Sequence, residues 1–180
     1  MAITRLGPNQ SVNLANNVTG TLPAANVANS TLNNVTALPA AISTGKVLQV
    51  VSVDYGTQVT STANSYSDTG LTASITPSSS SNKILVHVLQ SVGKTASNTW
   101  TDIKLQRGST DISIVKSITY NAVAQANYVG TGGGFIILDN PSTTSETTYK
   151  TVFRNVAAAG TIYTQVDSGK SMMTLMEIKI

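Results

Sequence analysis

The sequence has no cysteine, which excludes a disulfide framework and any thiolate metal site. Charge is scarce too: 11% of the 180 residues are charged, and eleven basic against eight acidic side chains leave a formal charge of +3. The basic residues stand singly. A nucleic-acid binder carries them as a cluster interleaved with stacking aromatics, so no nucleic-acid partner is expected. There is one histidine, His87, and no GxSxG elbow around any serine, so the local signature of a nucleophilic hydrolase is missing. No apolar run is long enough to span a bilayer, and the opening Met1-Ala2-Ile3-Thr4-Arg5-Leu6-Gly7-Pro8 lacks the apolar centre of a signal peptide. Neither membrane insertion nor secretion by that route is expected.

What is present divides into two styles of sequence. Residues 1–45 hold one phrase written twice: Asn16-Asn17-Val18-Thr19-Gly20-Thr21-Leu22-Pro23-Ala24-Ala25 returns as Asn33-Asn34-Val35-Thr36-Ala37-Leu38-Pro39-Ala40-Ala41. No aromatic or charged residue lies between Leu6 and Lys46. Such a segment cannot bury enough apolar side chain to offset its own chain entropy. It reads as an extended arm that takes its order from an assembly, with a reach of about 150 Å when fully drawn out. The apolar and proline positions of the phrase, Val18, Leu22, Pro23, Val35, Leu38 and Pro39, are its candidate attachment contacts. The Asn-x-Thr triplets within it read as accidents of an Asn/Thr-rich composition.

Residues 46–180 read as one domain. Ser, Thr, Val and Ile are frequent, and short runs with period two recur between Gly, Pro, Asn and Ser clusters, the pattern of strands and turns. In residues 46–53, Val47, Val51 and Val53 fall on one face and Leu48 and Val50 on the other, which predicts a strand covered on both sides. Residues 57–68 read as a polar stretch before a strand at 71–75, and 77–82 as a loop. Residues 83–90 form the strongest strand signal, with His87 out of phase with Ile84, Val86 and Val88. The alternation of Ile103 and Leu105 with Asp102, Lys104 and Gln106 predicts a strand with one wet face, hairpinned through 107–111 to a strand at 112–117. Strands are also expected at 135–139, 146–155, 161–166 and 171–180, the last with Met172, Met176 and Ile178 on one face and Leu175 and Glu177 on the other. Eight to ten strands without a convincing helix predict an all-β fold, an antiparallel β-sandwich of jelly-roll type carrying the extended N-terminal arm. Its strands, apolar on both faces, offer more apolar surface than one small sandwich buries, so self-association is expected.

Candidate chemistry is thin. His87 reads as an imidazole lying in a sheet or a subunit interface. Asp54, Asp68, Asp111, Asp139 and Asp167 read as turn formers. The glycine run Gly130-Thr131-Gly132-Gly133-Gly134 lacks the Lys-Ser/Thr of a phosphate cradle and leads into a strand rather than a helix. No calcium-loop pattern occurs, so neither cofactor nor metal is expected. Two carboxylates distant in sequence can make a glycosidase, but about 135 residues leave little room for the groove of a glycan depolymerase. The candidate binding aromatics are Trp100, Tyr120 and Tyr128, whose amphipathic rings suit sugar stacking or an interface.

In style the chain resembles bacteriophage virion fibre proteins of the short tail-fibre or head-fibre type found in marine and cyanobacterial phages. The resemblance rests on Ala2-Ile3-Thr4-Arg5-Leu6, on Val18-Thr19-Gly20-Thr21-Leu22-Pro23-Ala24-Ala25-Asn26, on Gly45-Lys46-Val47-Leu48-Gln49-Val50-Val51, on residues 66–86 and on Thr174-Leu175-Met176-Glu177-Ile178. It implies a non-enzymatic homotrimer assembled in the host cytoplasm and carried on the virion. The arm would hold other virion proteins of the capsid or tail, and the head would face outward to bacterial surface glycan. The alternative it leaves open is a capsid decoration protein that stabilises the shell. The chain departs from long tail fibres in having no large N-terminal attachment domain.

Overall fold

The computed structural model describes residues 46–120 and 129–180. The arm and its attachment contacts therefore lie outside the described residues, as does Tyr128. Ten strands follow one another: β1 (Val47–Tyr55), β2 (Val59–Ser61), β3 (Ser67–Ile75), β4 (Lys83–Lys94), β5 (Thr101–Arg107), β6 (Thr110–Ile118), β7 (Val129–Asp139), β8 (Thr147–Asn155), β9 (Ile162–Thr164) and β10 (Ser171–Ile178). All pair antiparallel, in a six-stranded and a four-stranded sheet.

Two of the strand positions in the larger sheet are each filled by two short strands in succession. Along one edge of β4, β10 pairs with residues 83–89 and β9 with Val92–Lys94; β1 lies outside β10 and β2 outside β9, while β7 takes the other edge of β4. The sheet is therefore four strands wide, in the order β1/β2, β10/β9, β4, β7. The second sheet runs β3, β8, β5, β6. Counting the broken strands as one each, that alternation of eight strands between two sheets is the jelly-roll connectivity, and the sandwich expected from the sequence is present.

The break between β9 and β10 has a local cause. Gln165, Asp167 and Ser168 all adopt left-handed backbone angles, with φ of 54°, 49° and 65°, in and around a single 3-10 turn at Val166–Ser168. The reversal carries the chain past one ladder position and drives the Gln165 side chain into the interior, where it is fully buried.

Period-two alternation sets the core. Leu71, Ala73 and Ile75 of β3, Ile84, Val86 and Val88 of β4, Ile103 and Leu105 of β5, Tyr149 and Phe153 of β8 and Met173 and Leu175 of β10 point between the sheets and are almost wholly buried. A polar layer crosses this core. Gln90 donates to Ser171 Oγ at 2.7 Å and accepts from Thr151 at 2.8 Å, and Thr151 meets the Thr69 hydroxyl at 2.6 Å. With its amide carbonyl turned toward Gln90 and Ser171, Gln165 completes the layer and donates to Thr164 Oγ1 at 2.6 Å. Each buried polar atom in it finds a partner, which is the condition for such a layer to fix register rather than weaken the core.

Several expectations need correction. The strand expected at 71–75 starts earlier, at Ser67, and the polar stretch before it holds β2. The glycine run lies inside β7, not ahead of it: Gly134 pairs with Leu89 and Gly130 with Gly93. A Cβ on Gly134 would stand 2.6 Å from the Val88 carbonyl oxygen, and one on Gly133 2.5 Å from Ile118 Cδ1; the glycines let the sheet close tightly against β4 and the core. The strand at β1 is covered on one side only among the described residues, with Val51 and Val53 against the core and Leu48 and Val50 exposed.

Candidate functional site

The two outward faces of the sandwich differ in kind. On the four-stranded sheet, the outward positions are charged and paired. Lys150 meets Asp68 at 2.8 Å, Arg154 meets Asp102 at 2.8 Å, and Lys104 meets Asp111 at 2.5 Å. Asp102 is only 1% exposed and also accepts the Ser117 backbone N–H, so the face expected to be wet is in part a locked ionic lattice. Its hydrogen bond to Asp102 raises the Arg154 guanidinium above its ordinary pKa. Tyr66 lies flat in this lattice, with Lys104 Nζ 4.2 Å and the Arg154 guanidinium 5.0 Å from its ring centroid. These are cation–π contacts. Beside it, the bulge of β3 between Asp68 and Thr72 leaves a shallow depression of about 180 Å³ lined by Asp68, Gly70, Thr72 and Lys150.

On the six-stranded sheet the outward face is largely apolar, with a polar stripe of Ser52, Thr174 and His87 across it. Cross-strand register places Val50, Met176, Leu85 and Leu138 in one row; Ser52, Thr174, His87 and Ile136 in the next; and Asp54, Met172, Leu89 and Gly134 in a third. Ile136 is 73% exposed, Val50 56% and Leu89 53%. At its margin Asp54 pairs with Lys170. His87 sits exposed in the middle row between Thr174 and Ile136, the surface position in a sheet that its phase in the sequence predicts.

Of the candidate aromatics, the fold brings Trp100 and Tyr120 together at the end of the β5–β6 hairpin, ring centroids 5.6 Å apart and nearly perpendicular. A chain of bonds positions Trp100. Buried Lys94 donates to the Thr99 carbonyl at 2.7 Å, the Thr99 hydroxyl bonds Asn155, and Val156 N–H donates to the Trp100 carbonyl at 3.1 Å. Tyr120 is exposed.

Two carboxylates do more than form turns. Asp139 ends β7 but accepts Arg107 Nη1 at 2.7 Å and the Tyr149 hydroxyl at 2.6 Å, joining the two sheets; burial and this hydrogen bond push the Tyr149 phenol well above its usual range. Glu177 is 1% exposed. One oxygen accepts Asn82 Nδ2 at 2.6 Å and the Ser78 N–H and hydroxyl at 2.7 Å each, and the other accepts Gln49 Nε2 at 2.8 Å. Among the described residues, no group of three His, Asp or Glu side chains is placed to hold a metal, and no helix is long and apolar enough to cross a membrane.

Neither a family model nor a curated protein sequence matches the chain. Among solved structures it is similar to the crystal structure of the infectious bursal disease virus VP2 subviral particle, with a TM-score of 0.38 and 10% identity. That match covers 72% of this chain and 37% of the other.

Proposed function

We propose that the chain is a non-enzymatic structural component of a bacteriophage virion, a homotrimeric fibre-type protein held on the particle by residues 1–45 with its sandwich facing outward for adhesion to host surface glycan. One observation carries this reading: the two outer faces of the sandwich are opposite in character. An apolar sheet face must be covered by protein, whereas a face of locked ion pairs is stable in water. A head of this kind suits assembly through one sheet and exposure of the other. The repeated arm phrase and the fibre-like segments of the sequence agree with it, and the Trp100–Tyr120 pair offers amphipathic rings of the kind that stack on sugars.

The test is a reconstruction of the particle combined with adsorption. Purified protein is expected to bind host cells and compete with the phage, and the density is expected to show the head projecting from the surface. A head lying flat against the shell would assign the decoration role instead. Absence from the particle would refute both.

A further inference from the structure

We infer that the depression at the β3 bulge, on the outer face of the four-stranded sheet, is a binding site for one neutral sugar ring, held by Asp68 and Lys150 through a pair of neighbouring ring hydroxyls. The inference deepens the glycan-adhesion reading proposed above and rests on it.

The site is built by strand register. Asp68 stands opposite Val152 and Thr72 opposite Lys150, so Thr69, Gly70 and Leu71 together face Thr151 alone. A bulge of this kind re-aims the side chains that flank it. Gly70 permits it with a φ of +86°, in the region that a side chain rarely adopts. Hydrogen bonds pin the bulge from within: the Thr69 hydroxyl accepts the Leu71 N–H at 3.1 Å and meets the Thr151 hydroxyl at 2.6 Å, and Thr72 Oγ1 donates to the Tyr149 carbonyl at 3.2 Å. A ligand therefore meets a preformed wall rather than a segment it must order.

Charge and size name the ligand. Lys150 Nζ lies 2.8 Å from Asp68 Oδ1, and both side chains reach solvent. An anion drawn to Lys150 meets the Asp68 carboxylate, and a cation drawn to Asp68 meets the ammonium, so neither gains a net attraction from the pair. A neutral diol gains from both by hydrogen bonding. Among the described residues only Lys150 bonds the Asp68 carboxylate, and of the three N–H groups of an ammonium Asp68 takes one. One hydroxyl can donate to the carboxylate while its neighbour accepts from the ammonium, without parting the ion pair, and hydrogen bonds to charged groups are the stronger kind. Hydroxyls on adjacent carbons suit an acceptor and a donor that are themselves 2.8 Å apart. The depression, about 180 Å³ in volume, has room for about six waters. It admits one sugar ring and lies below the roughly 300 Å³ at which pockets enclose larger ligands.

The test is saturation-transfer NMR on the full-length protein with the methyl glycosides of glucose, galactose, mannose and N-acetylglucosamine, and with free glycine and inorganic phosphate as charged competitors. Wild type is expected to bind at least one glycoside and to keep it in the presence of either competitor. Asp68→Asn and Lys150→Met should each weaken that binding about tenfold or more, the cost of one hydrogen bond to a charged group. Tyr120→Ala and Asp111→Asn should leave it unchanged. None of the four positions is buried, and far-UV circular dichroism checks that each variant is folded. A protein that adsorbs to host cells but binds none of the glycosides overturns this site and leaves the adhesion reading standing. So does binding that survives Asp68→Asn and Lys150→Met but is lost in Tyr120→Ala, which puts the sugar on the Trp100–Tyr120 pair. Displacement by glycine or phosphate overturns the neutral ligand. A protein that binds neither glycosides nor host cells overturns both readings.

Discussion

Glu177 offers the most quantitative test of the fold, because a buried carboxylate has been given four donors and no cation. Burial alone would raise its pKa; the hydrogen bonds from Asn82, Ser78 and Gln49 outweigh burial and bring it down to about 2 from the ordinary 4.5. The folded state thus binds this proton less readily than the unfolded chain. The stabilisation is complete above the unfolded pKa and is lost as pH falls from about 4.5 toward 2. At 1.36 kcal/mol per pK unit, a shift of this size contributes about 3 kcal/mol at neutral pH. Its structural meaning is that β10 holds the 76–82 loop and β1 through one side chain. In Glu177→Gln the charge is gone and an amide N–H₂ meets the donor Gln49 Nε2, so a loss of about 2 kcal/mol is expected at pH 7. The assay is urea unfolding of wild type and variant at fixed protein concentration from pH 7 to pH 2.5. Other acids titrate equally in both, so the difference between the two curves isolates Glu177. It should shrink steadily below pH 4.5 and nearly vanish at the acid end. A difference that stays constant across that range would refute the argument.

Gly70→Ala should be among the most damaging single-methyl additions: φ is +86°, and the new Cβ would stand 2.3 Å from the Tyr55 ring. A loss of about 2–4 kcal/mol is expected in thermal or urea unfolding, and an unchanged midpoint would mean that Tyr55 does not pack there. Gln90→Leu keeps the volume but strips the partner from Thr151 and Ser171 in the buried layer, and should cost about 2–3 kcal/mol, measured as a shift in urea midpoint with unchanged slope. Tyr149→Phe removes the hydroxyl bonded to Asp139 and should cost about 1 kcal/mol, with the Arg107 pair retained; a stabilised variant would contradict the role given to that bond.

The sandwich was legible because its strands obey a period of two wherever one face meets the core. Ile103 and Leu105 alternate with Asp102, Lys104 and Gln106, and Tyr149 and Phe153 with Lys150 and Arg154, in the sequence as in the sheet. What failed were features decided by partners far along the chain. Asp139 follows a strand and precedes Asn140-Pro141, so it reads as a turn residue; its role is set by Arg107, 32 residues earlier. The split of one strand position into β9 and β10 could not be seen, because Gln165, Asp167 and Ser168 take left-handed angles usually left to glycine. Nothing in the sequence singles out Tyr66, since its two cationic neighbours come from β5 and β8. The plainest site signal was Leu48 and Val50, out of phase with Val51 and Val53 and left exposed among the described residues.

That surplus is informative because the fold does not need it. The interior is closed by side chains of the opposite phase, and the sixteen buried hydrophobic residues of the core include none of Val50, Leu89, Ile136, Leu138 or Met172. Polar residues at those positions would leave the sandwich intact and remove an aggregation hazard, the more so beside the far edge of β7, which no described strand pairs. On the other sheet the same outward phase is filled with Lys150, Arg154, Lys104 and their carboxylate partners. One chain thus follows the ordinary surface rule on one sheet and breaks it on the other. Burial within the described sandwich explains only the side chains that point inward; the outward apolar rows serve no packing role among the described residues.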